Sequence, residues 1–206
     1  MSLVARALAW SVRLATGVRS GALPHWRPGS VFFANHSSHL DSLVIWAALP
    51  HAIREKTSPV AATDYWEKTA PRRWLAKRIF NAILLDRHGR PADRSHPLAK
   101  VSAALDEGRS LIIFPEGTRS ADGKMSEFKA GLHYLRKCHP ESLFFPVSLD
   151  NLSRILPKGV LLPVPVIGRI VVHEAMAEVA DESRESFLKR AEEAVASGVQ
   201  DWEDHD

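Results

Sequence analysis

Short apolar stretches alternate along this chain with segments that have the spacing of helices. Helices are predicted at residues 2–18, 43–49, 72–80, 92–107, 129–137 and 182–197. Buried strands are predicted at residues 31–34, 60–62, 82–85, 110–114 and 143–149, followed by a proline-broken β region at 160–172. Several strands are apolar throughout, as expected when both faces of a sheet are covered. The alternation therefore predicts an α/β fold with a mostly parallel sheet flanked by helices.

The length and charge of the chain limit its class. The 206 residues suit a single domain with a proper core, or one domain plus a small appendage. Cys138 is the single cysteine, which excludes an internal disulfide and a site built from several cysteines. Residues 1–100 hold 15 Lys/Arg and 6 Asp/Glu, whereas residues 101–206 hold 12 and 18, so the balances are +9 and −6. The basic first half predicts an anionic partner: a phosphate-bearing substrate, nucleic acid or a membrane surface.

Residues 2–18 form a predicted amphipathic helix whose apolar surface is interrupted by arginines. The apolar positions are Leu3, Ala7, Leu8, Trp10, Leu14 and Ala15. No stretch reaches the ~18–20 uncharged apolar residues that a spanning helix needs. The helix either lies in the membrane interface or packs on the domain as an ordinary first helix. We therefore separate an N-terminal helix, residues 1–20, from a main domain, residues 21–206. Residues 66–80 form a second basic, aromatic segment.

A histidine and an aspartate lie at the turn between the first strand and the next helix. His36 is in the turn, and Asp41 follows five positions later, at the predicted helix start. In this arrangement the Asp41 carboxylate can accept a hydrogen bond from Nδ1 of His36 and leave Nε2 free as a base. Such a pair suits the deprotonation of a substrate hydroxyl. Alternatively, Ser38 and Asp41 form an N-terminal capping box, an interpretation compatible with the first.

A second polar segment, residues 114–120, follows another predicted strand. Gly117 lets the backbone come close to a ligand. Arg119 can grip a phosphate through two parallel hydrogen bonds. Glu116 can orient that arginine or accept from a ligand hydroxyl. The alternative is a tight turn with a solvent-exposed Glu–Arg pair of little energetic value.

Arg87 follows the strand at residues 82–85. If that strand is a parallel neighbour of those at 31–34 and 110–114, their carboxyl ends share one edge of the sheet. Four polar side chains would then converge there: His36, Arg87, Glu116 and Arg119. One base and two guanidinium groups describe a site for an anionic substrate that bears a hydroxyl.

Other chemistries lack their sequence signatures. The chain has no Gly-x-Ser-x-Gly, P-loop, dinucleotide-binding or His-Glu-x-x-His motif. His36, His39 and Asp41 are not supported as metal ligands by any further cluster. The basic segment at 66–80 lacks a recognised nucleic-acid module, and its apolar content fits lipid better. We therefore expect no metal and no nucleic-acid partner.

These motifs, in this order, resemble those of the glycerolipid acyltransferases, typified by 1-acyl-sn-glycerol-3-phosphate acyltransferase and other lysophospholipid acyltransferases. The similar segments are Asn35 to Asp41, Ile83 to Arg87, Phe114 to Ser120, Phe128 to Gly131, Phe145 to Val147 and Leu156 to Gly159. The resemblance covers about residues 30 to 175. Asn81 departs from it, because the family often has a glycine at this position.

The resemblance implies a fold and a set of roles. The fold would be that of glycerol-3-phosphate acyltransferase, with a mixed, mostly parallel sheet. His36 would be the general base, supported by Asp41, and Pro146 would shape the pocket. The acceptor's glycerophosphate would be bound by Arg87, Glu116, Gly117, Thr118 and Arg119. The acyl donor would be acyl-CoA or acyl-acyl carrier protein, and no cofactor or prosthetic group would be needed.

The expected activity is transfer of a fatty acyl group to the free hydroxyl of a lysophospholipid, first of all lysophosphatidic acid. Alternatives are another lysolipid as acceptor, a thioesterase, and a non-catalytic module that binds lipid or membrane. We expect a peripheral protein on the cytoplasmic face of the membrane, held by residues 2–18 and by the segment at 66–80.

Overall fold

The computed structural model describes residues 3–18, 23, 25–38, 40–86, 98–119, 124–150 and 169–203. Its strands are β1 Val31–Ala34, β2 Thr57–Ala62, β3 Ile83–Leu85, β4 Ser110–Ile113, β5 Phe144–Asp150 and β6 Arg169–Val172. Its helices are α1 Leu3–Thr16, α2 Asp41–Ala48, α3 His51–Glu55, α4 Thr63–Trp66, α5 Ala70–Trp74, α6 Ala99–Asp106, α7 Gly131–Cys138 and α8 Arg184–Glu203. The predicted strand and helix segments correspond to these elements wherever they fall within the described residues.

The six strands form one sheet in the order β3-β2-β4-β1-β5-β6. All neighbouring strands are parallel except β5 and β6, which are antiparallel. This confirms the predicted α/β fold with a mostly parallel, mixed sheet. One detail of the prediction is wrong: β3 is not a neighbour of β4, because β2 lies between them. The strands β1, β2, β3 and β4 nevertheless run in the same direction. Their carboxyl ends therefore lie at the same edge of the sheet.

Side chains of the central strand β1 alternate between the two faces of the sheet. Phe32 and Ala34 belong to a core beneath α1 and α2, whereas Val31 and Phe33 belong to a core beneath α6, α7 and α8. All four are fully buried. Burial on both faces explains why β1 is apolar throughout rather than alternating with polar residues.

The predicted helix at 72–80 is split into α5 and a π-helical turn at Leu75–Ile79. The wider turn brings Phe80 into the core, edge-on to Trp46 with ring centroids 5.0 Å apart. Asn81 follows with a φ of +46°, in the left-handed region that favours glycine and tolerates asparagine. This conformation gives a physical reason for the glycine–asparagine exchange at this position.

Helix α1 packs against α2 and the core beneath it. Ala5, Ala9 and Thr16 are buried, whereas the large residues Leu3, Trp10 and Leu14 are 66 to 81% exposed. An ordinary surface helix buries its large apolar residues. This helix packs Leu8 and Val12 against the core, but it exposes Leu3, Trp10 and Leu14.

Arg13 fastens α1 to the end of α2. Its guanidinium donates to the carbonyl oxygens of Ala47 (2.6 Å) and Leu49 (3.0 Å), where a helix has unsatisfied acceptors. Arg54 donates to the Ala47 carbonyl as well, at 3.4 Å. Burial lowers the pKa of both arginines from the ordinary value, and the charge of Arg13 lowers that of Arg54 further. The position of α1 therefore depends on polar as well as apolar contacts.

Within the described residues, the helices are too short or too polar for any of them to cross a bilayer.

Candidate active site

His36 lies just past β1, at the carboxyl edge of the sheet. Nδ1 of the imidazole is 2.8 Å from Oδ2 of Asp41. The ring stacks on Phe114, the first residue after β4, with centroids 4.1 Å apart and an interplanar angle of 19°. The side chain is 17% exposed. The ring is therefore fixed on one face and on one nitrogen, and Nε2 is the nitrogen left for a ligand.

Asp41, the first residue of α2, is completely buried. Besides the His36 contact, Oδ2 accepts the backbone N–H groups of Ser37 (2.7 Å) and Ser38 (2.8 Å). Three donors on one oxygen suit a carboxylate that must hold a ring in place. The other oxygen, Oδ1, is buried without a hydrogen-bond partner among the described residues. Unpaired buried polar atoms are uncommon and need a reason, which function often supplies.

The predicted capping box is half formed. The Asp41 carboxylate accepts the Ser38 N–H as a capping box requires. The Ser38 hydroxyl, however, accepts from the N–H of Leu40 at 3.3 Å. The N–H of Asp41 is already used by the Ser38 carbonyl oxygen. The Asp41 carboxylate thus serves the turn and the histidine together.

Asn35, the first residue after β1, joins the same turn to the neighbouring strand β5. Its amide exchanges two hydrogen bonds with the backbone of Leu149 in β5: the side-chain NH₂ donates to the carbonyl oxygen at 2.8 Å, and the side-chain oxygen accepts the N–H at 2.9 Å. The sequence marks Asn35 only by its place in the motif. Its partner comes from a distant strand, so the contact is visible only in the fold.

Glu116 lies under the site rather than in it. The side chain is 2% exposed. Oε1 accepts the backbone N–H of His36 at 2.6 Å, and Oε2 accepts the backbone N–H of Ser126 at 2.8 Å. Each oxygen therefore has a backbone donor, and the carboxylate joins the turn after β1 to the loop after β4. This geometry favours a role in positioning His36. The predicted role in acceptor binding stays a prediction.

A cleft of about 970 Å³ opens above these residues. Its polar part includes His36, Gly117, Thr118 and Arg119, and also Lys68 and Lys129. Its apolar part is formed by residues from β2, β3, β4, α6 and α7: Val60, Ala61, Ala62, Leu85, Leu98, Val101, Ile113, Leu132 and Leu135. The carboxyl ends of β1, β2, β3 and β4 thus meet at one site, as parallel sheets commonly arrange.

The predicted site residues fall into three groups. His36, Gly117, Thr118 and Arg119 line the cleft, while Asp41 and Glu116 support it from below. Arg87 lies outside the described residues, although the preceding Asp86 lines the cleft. The sequence motifs did not assign Lys129 or Lys68 to the site. A usable signal for Lys129 was its place in the Phe128–Gly131 segment of the family pattern, to which no role was assigned.

The arrangement suits the deprotonation of a hydroxyl. The cleft combines one oriented imidazole with cationic side chains and an apolar region. Among the described residues, no three His, Cys, Asp or Glu side chains group as metal ligands. The polar part can hold an anionic group while the apolar part holds hydrocarbon.

A comparison of folds places the chain beside a solved acyltransferase. The crystal structure of the 1-acyl-sn-glycerophosphate (LPA) acyltransferase PlsC from Thermotoga maritima has the same fold, with a TM-score of 0.74. The similarity covers 97% of this chain and 80% of that one, at 24% sequence identity.

Comparisons of sequence lead to related enzymes. The 1-acyl-sn-glycerol-3-phosphate acyltransferase of Limnanthes alba is 30% identical over 119 residues, which is 54% of this chain and 37% of that protein. The chloroplastic 1-acyl-sn-glycerol-3-phosphate acyltransferase of Arabidopsis thaliana is 25% identical over 173 residues, 77% of this chain and 46% of that protein. The chain therefore spans half or less of the length of these relatives. The sequence profile of the family described as Acyltransferase matches residues 18–150, more than half of the chain. The chain belongs to the acyltransferase family.

Proposed function

We propose that this protein is an O-acyltransferase that moves a fatty acyl group from a thioester to the free hydroxyl of a lysophospholipid. The donor would be acyl-CoA or acyl-acyl carrier protein, and the first acceptor to consider is lysophosphatidic acid, which would become phosphatidic acid. The observation that carries the proposal is the His36 imidazole, held by Asp41 in a cleft with both cationic and apolar walls.

The proposed reaction begins with proton transfer from the acceptor hydroxyl to Nε2 of His36. The hydroxyl oxygen attacks the thioester carbonyl carbon as it loses that proton. The tetrahedral intermediate then collapses with cleavage of the carbon–sulfur bond, and the thiolate receives the proton from the imidazolium. Asp41 keeps the ring in the orientation that both transfers need and stabilises its charged form. The donor is already activated, so base catalysis and positioning supply most of what the reaction requires.

Each part of the cleft has a matching substrate group. The apolar part, walled by β4, α6 and α7, fits a fatty acyl chain, because burying hydrocarbon is favourable by roughly 0.8 kcal/mol per CH₂ group. Arg119 at the cleft rim fits an anionic head group. His36 lies at the end of β1, near the loop after β4 that carries Arg119. In the proposed reaction, the acceptor hydroxyl attacks the thioester at this position.

The direct test is an assay of purified protein with acyl-CoA or acyl-acyl carrier protein and a panel of lysolipids, with products identified by mass spectrometry. We expect acylated lipid to form from lysophosphatidic acid at the same rate as thioester is lost. Loss of thioester without acylated product would overturn the transferase and favour a thioesterase. Lipid binding without turnover of any acceptor would favour a non-catalytic module.

We further propose that the protein is peripheral, held on the cytoplasmic face of a membrane by α1. The support is the exposure of three large apolar side chains of α1, Leu3, Trp10 and Leu14. Trp74 of α5, 49% exposed, extends the proposed contact to the segment at 66–80. Tryptophan and basic residues on one helix suit the interface between head groups and acyl chains.

The double variant Trp10→Glu/Leu14→Glu tests this contact. We expect its binding to phosphatidylglycerol-containing vesicles, measured by co-sedimentation, to fall at least about tenfold, because two apolar side chains lose their burial in lipid. The control is Val179→Glu, which adds a carboxylate at an exposed apolar position, 49% accessible, that is not part of α1. Equal binding by the double variant and the control would refute the role of α1.

A further inference from the structure

The side chain of Lys129 lies directly over the backbone of Gly117. A Cβ atom added to Gly117 would be 2.8 Å from Nζ of Lys129 and 3.3 Å from its Cδ and Cε. Gly117 also has a φ of +74°, which favours glycine on backbone grounds alone. The glycine therefore does two things at this point: it permits the turn, and it leaves room for the end of the lysine.

The backbone of Lys129 is fixed to the same turn. Its N–H donates to the carbonyl oxygen of Pro115 at 3.0 Å. The preceding Phe128 is 5% exposed and packs edge-on against Phe33 of β1. The N–H of Phe128 also donates to Oε1 of Glu192 in α8, at 2.6 Å. The lysine thus starts from a rigid base and reaches across Gly117 into the cleft.

Lys129 makes no ion pair with a carboxylate of the described residues. In the part of the chain that the structure describes, no carboxylate comes within 4.0 Å of the Lys129 ammonium, and the same holds for the guanidinium of Arg119. Both side chains line the cleft that contains His36. Asp64 and Asp86 line the same cleft but lie beyond ion-pair distance of both cations. Lys129 and Arg119 can therefore both donate to an anionic group, and a phosphate monoester can accept from both.

The exposure of Lys129 distinguishes between two anions that it could bind, the oxyanion of the tetrahedral intermediate and the phosphate of the substrate. Its side chain is exposed rather than buried. Stabilising the oxyanion of the tetrahedral intermediate depends on donors in a site from which water is excluded. An exposed ammonium at the cleft suits instead the binding of a substrate phosphate that stays partly hydrated.

We propose that Lys129 is a substrate-binding residue that holds the phosphate of the acceptor. The absence of a side chain at Gly117 leaves the space that the end of Lys129 occupies. This assignment rests on the proposed acyl transfer to a phosphorylated lysolipid. It makes Lys129 a specificity-determining residue, which distinguishes acceptors with a phosphate monoester from uncharged monoacylglycerols.

The test compares Lys129→Met and Lys129→Arg with the control Lys100→Met, an exposed lysine of α6 that does not line the cleft. For Lys129→Met we expect KM for lysophosphatidic acid to rise about 10- to 100-fold, the usual effect of losing one charge-assisted hydrogen bond. The values of kcat and of KM for the acyl donor should change little, and turnover of monoacylglycerol should be unaffected. Lys129→Arg should restore part of the loss. A fall in kcat with both acceptors and unchanged KM would overturn the assignment.

A second measurement separates this proposal from the proposed activity. Calorimetric binding of glycerol 3-phosphate requires neither donor nor turnover. We expect the wild type and Lys100→Met to bind it alike and Lys129→Met to bind it at least about tenfold more weakly. That result would support the phosphate site even if no acyl transfer were observed. Equal binding by all three proteins would overturn the site even if transfer to lysophosphatidic acid were observed.

Discussion

Replacing His36 with alanine is expected to lower kcat for acyl transfer about 100- to 10,000-fold, the range that a general base commonly contributes. The physical reason is that no other described side chain in the cleft combines a fixed ring nitrogen with an oriented carboxylate partner. The loss corresponds to about 3 to 5 kcal/mol of transition-state stabilisation. Initial rates at saturating donor and acceptor, followed by mass spectrometry of the product, measure it.

A matched control is His51→Ala. His51 is half exposed in α3, where it pairs with Glu55, and it does not line the cleft. The His51→Ala variant loses the same type of side chain outside the cleft. Its kcat for acyl transfer should equal that of the wild type. The fold of His36→Ala should survive, because the Asp41 carboxylate keeps its two backbone donors. A His36→Ala variant that retains near wild-type kcat would show that the base is elsewhere.

Asp41→Asn is expected to lower kcat by a similar factor, about 100- to 10,000-fold, by analogy with amide substitution at the carboxylate of other histidine–carboxylate pairs. The amide oxygen can still accept the N–H groups of Ser37 and Ser38. It carries no charge, however, and so cannot stabilise the imidazolium that forms when His36 takes a proton. The substitution also removes a buried carboxylate whose Oδ1 has no described partner. Thermal stability should therefore be retained while activity falls.

The double variant His36→Ala/Asp41→Asn tests whether Asp41 works through His36. If it does, the double variant should be no slower than His36→Ala alone, because the aspartate has nothing left to orient. Losses that multiply would mean that Asp41 contributes by a separate route, such as the position of α2. Circular dichroism and thermal unfolding of all three variants exclude a general loss of structure.

Local patterns predicted the elements of the fold well. The apolar runs at β1 and β4 could be recognised because a strand buried on both faces needs such a run. The order of the strands could not be recognised in the same way. The position of β2 between β3 and β4 depends on the path of the connections between the strands. The residues of β2 do not indicate which strands lie beside it.

The sequence predicted the residues of the candidate site and one contact between them. The spacing of His36 and Asp41 predicted a contact that the structure contains at 2.8 Å. Glu116 was expected near a ligand, yet both its oxygens accept backbone N–H groups. Backbone donors leave no mark in a sequence, so a motif cannot distinguish a residue that binds substrate from one that braces the turn beside it.

Helix α1 shows what the sequence predicts and what only the tertiary structure decides. Its periodicity alone predicted an amphipathic helix, because side chains three and four positions apart share one face. Which face meets the protein is set by the surface available on α2, which accepts Ala5 and Ala9 and leaves Trp10 outside. Lys129 is a similar case: its position in the chain is plain, but its place over Gly117 follows from a turn and a loop that meet only after folding. Residue types and their spacing thus defined the family pattern and the chemistry available, whereas long-range contacts assigned each side chain its partner.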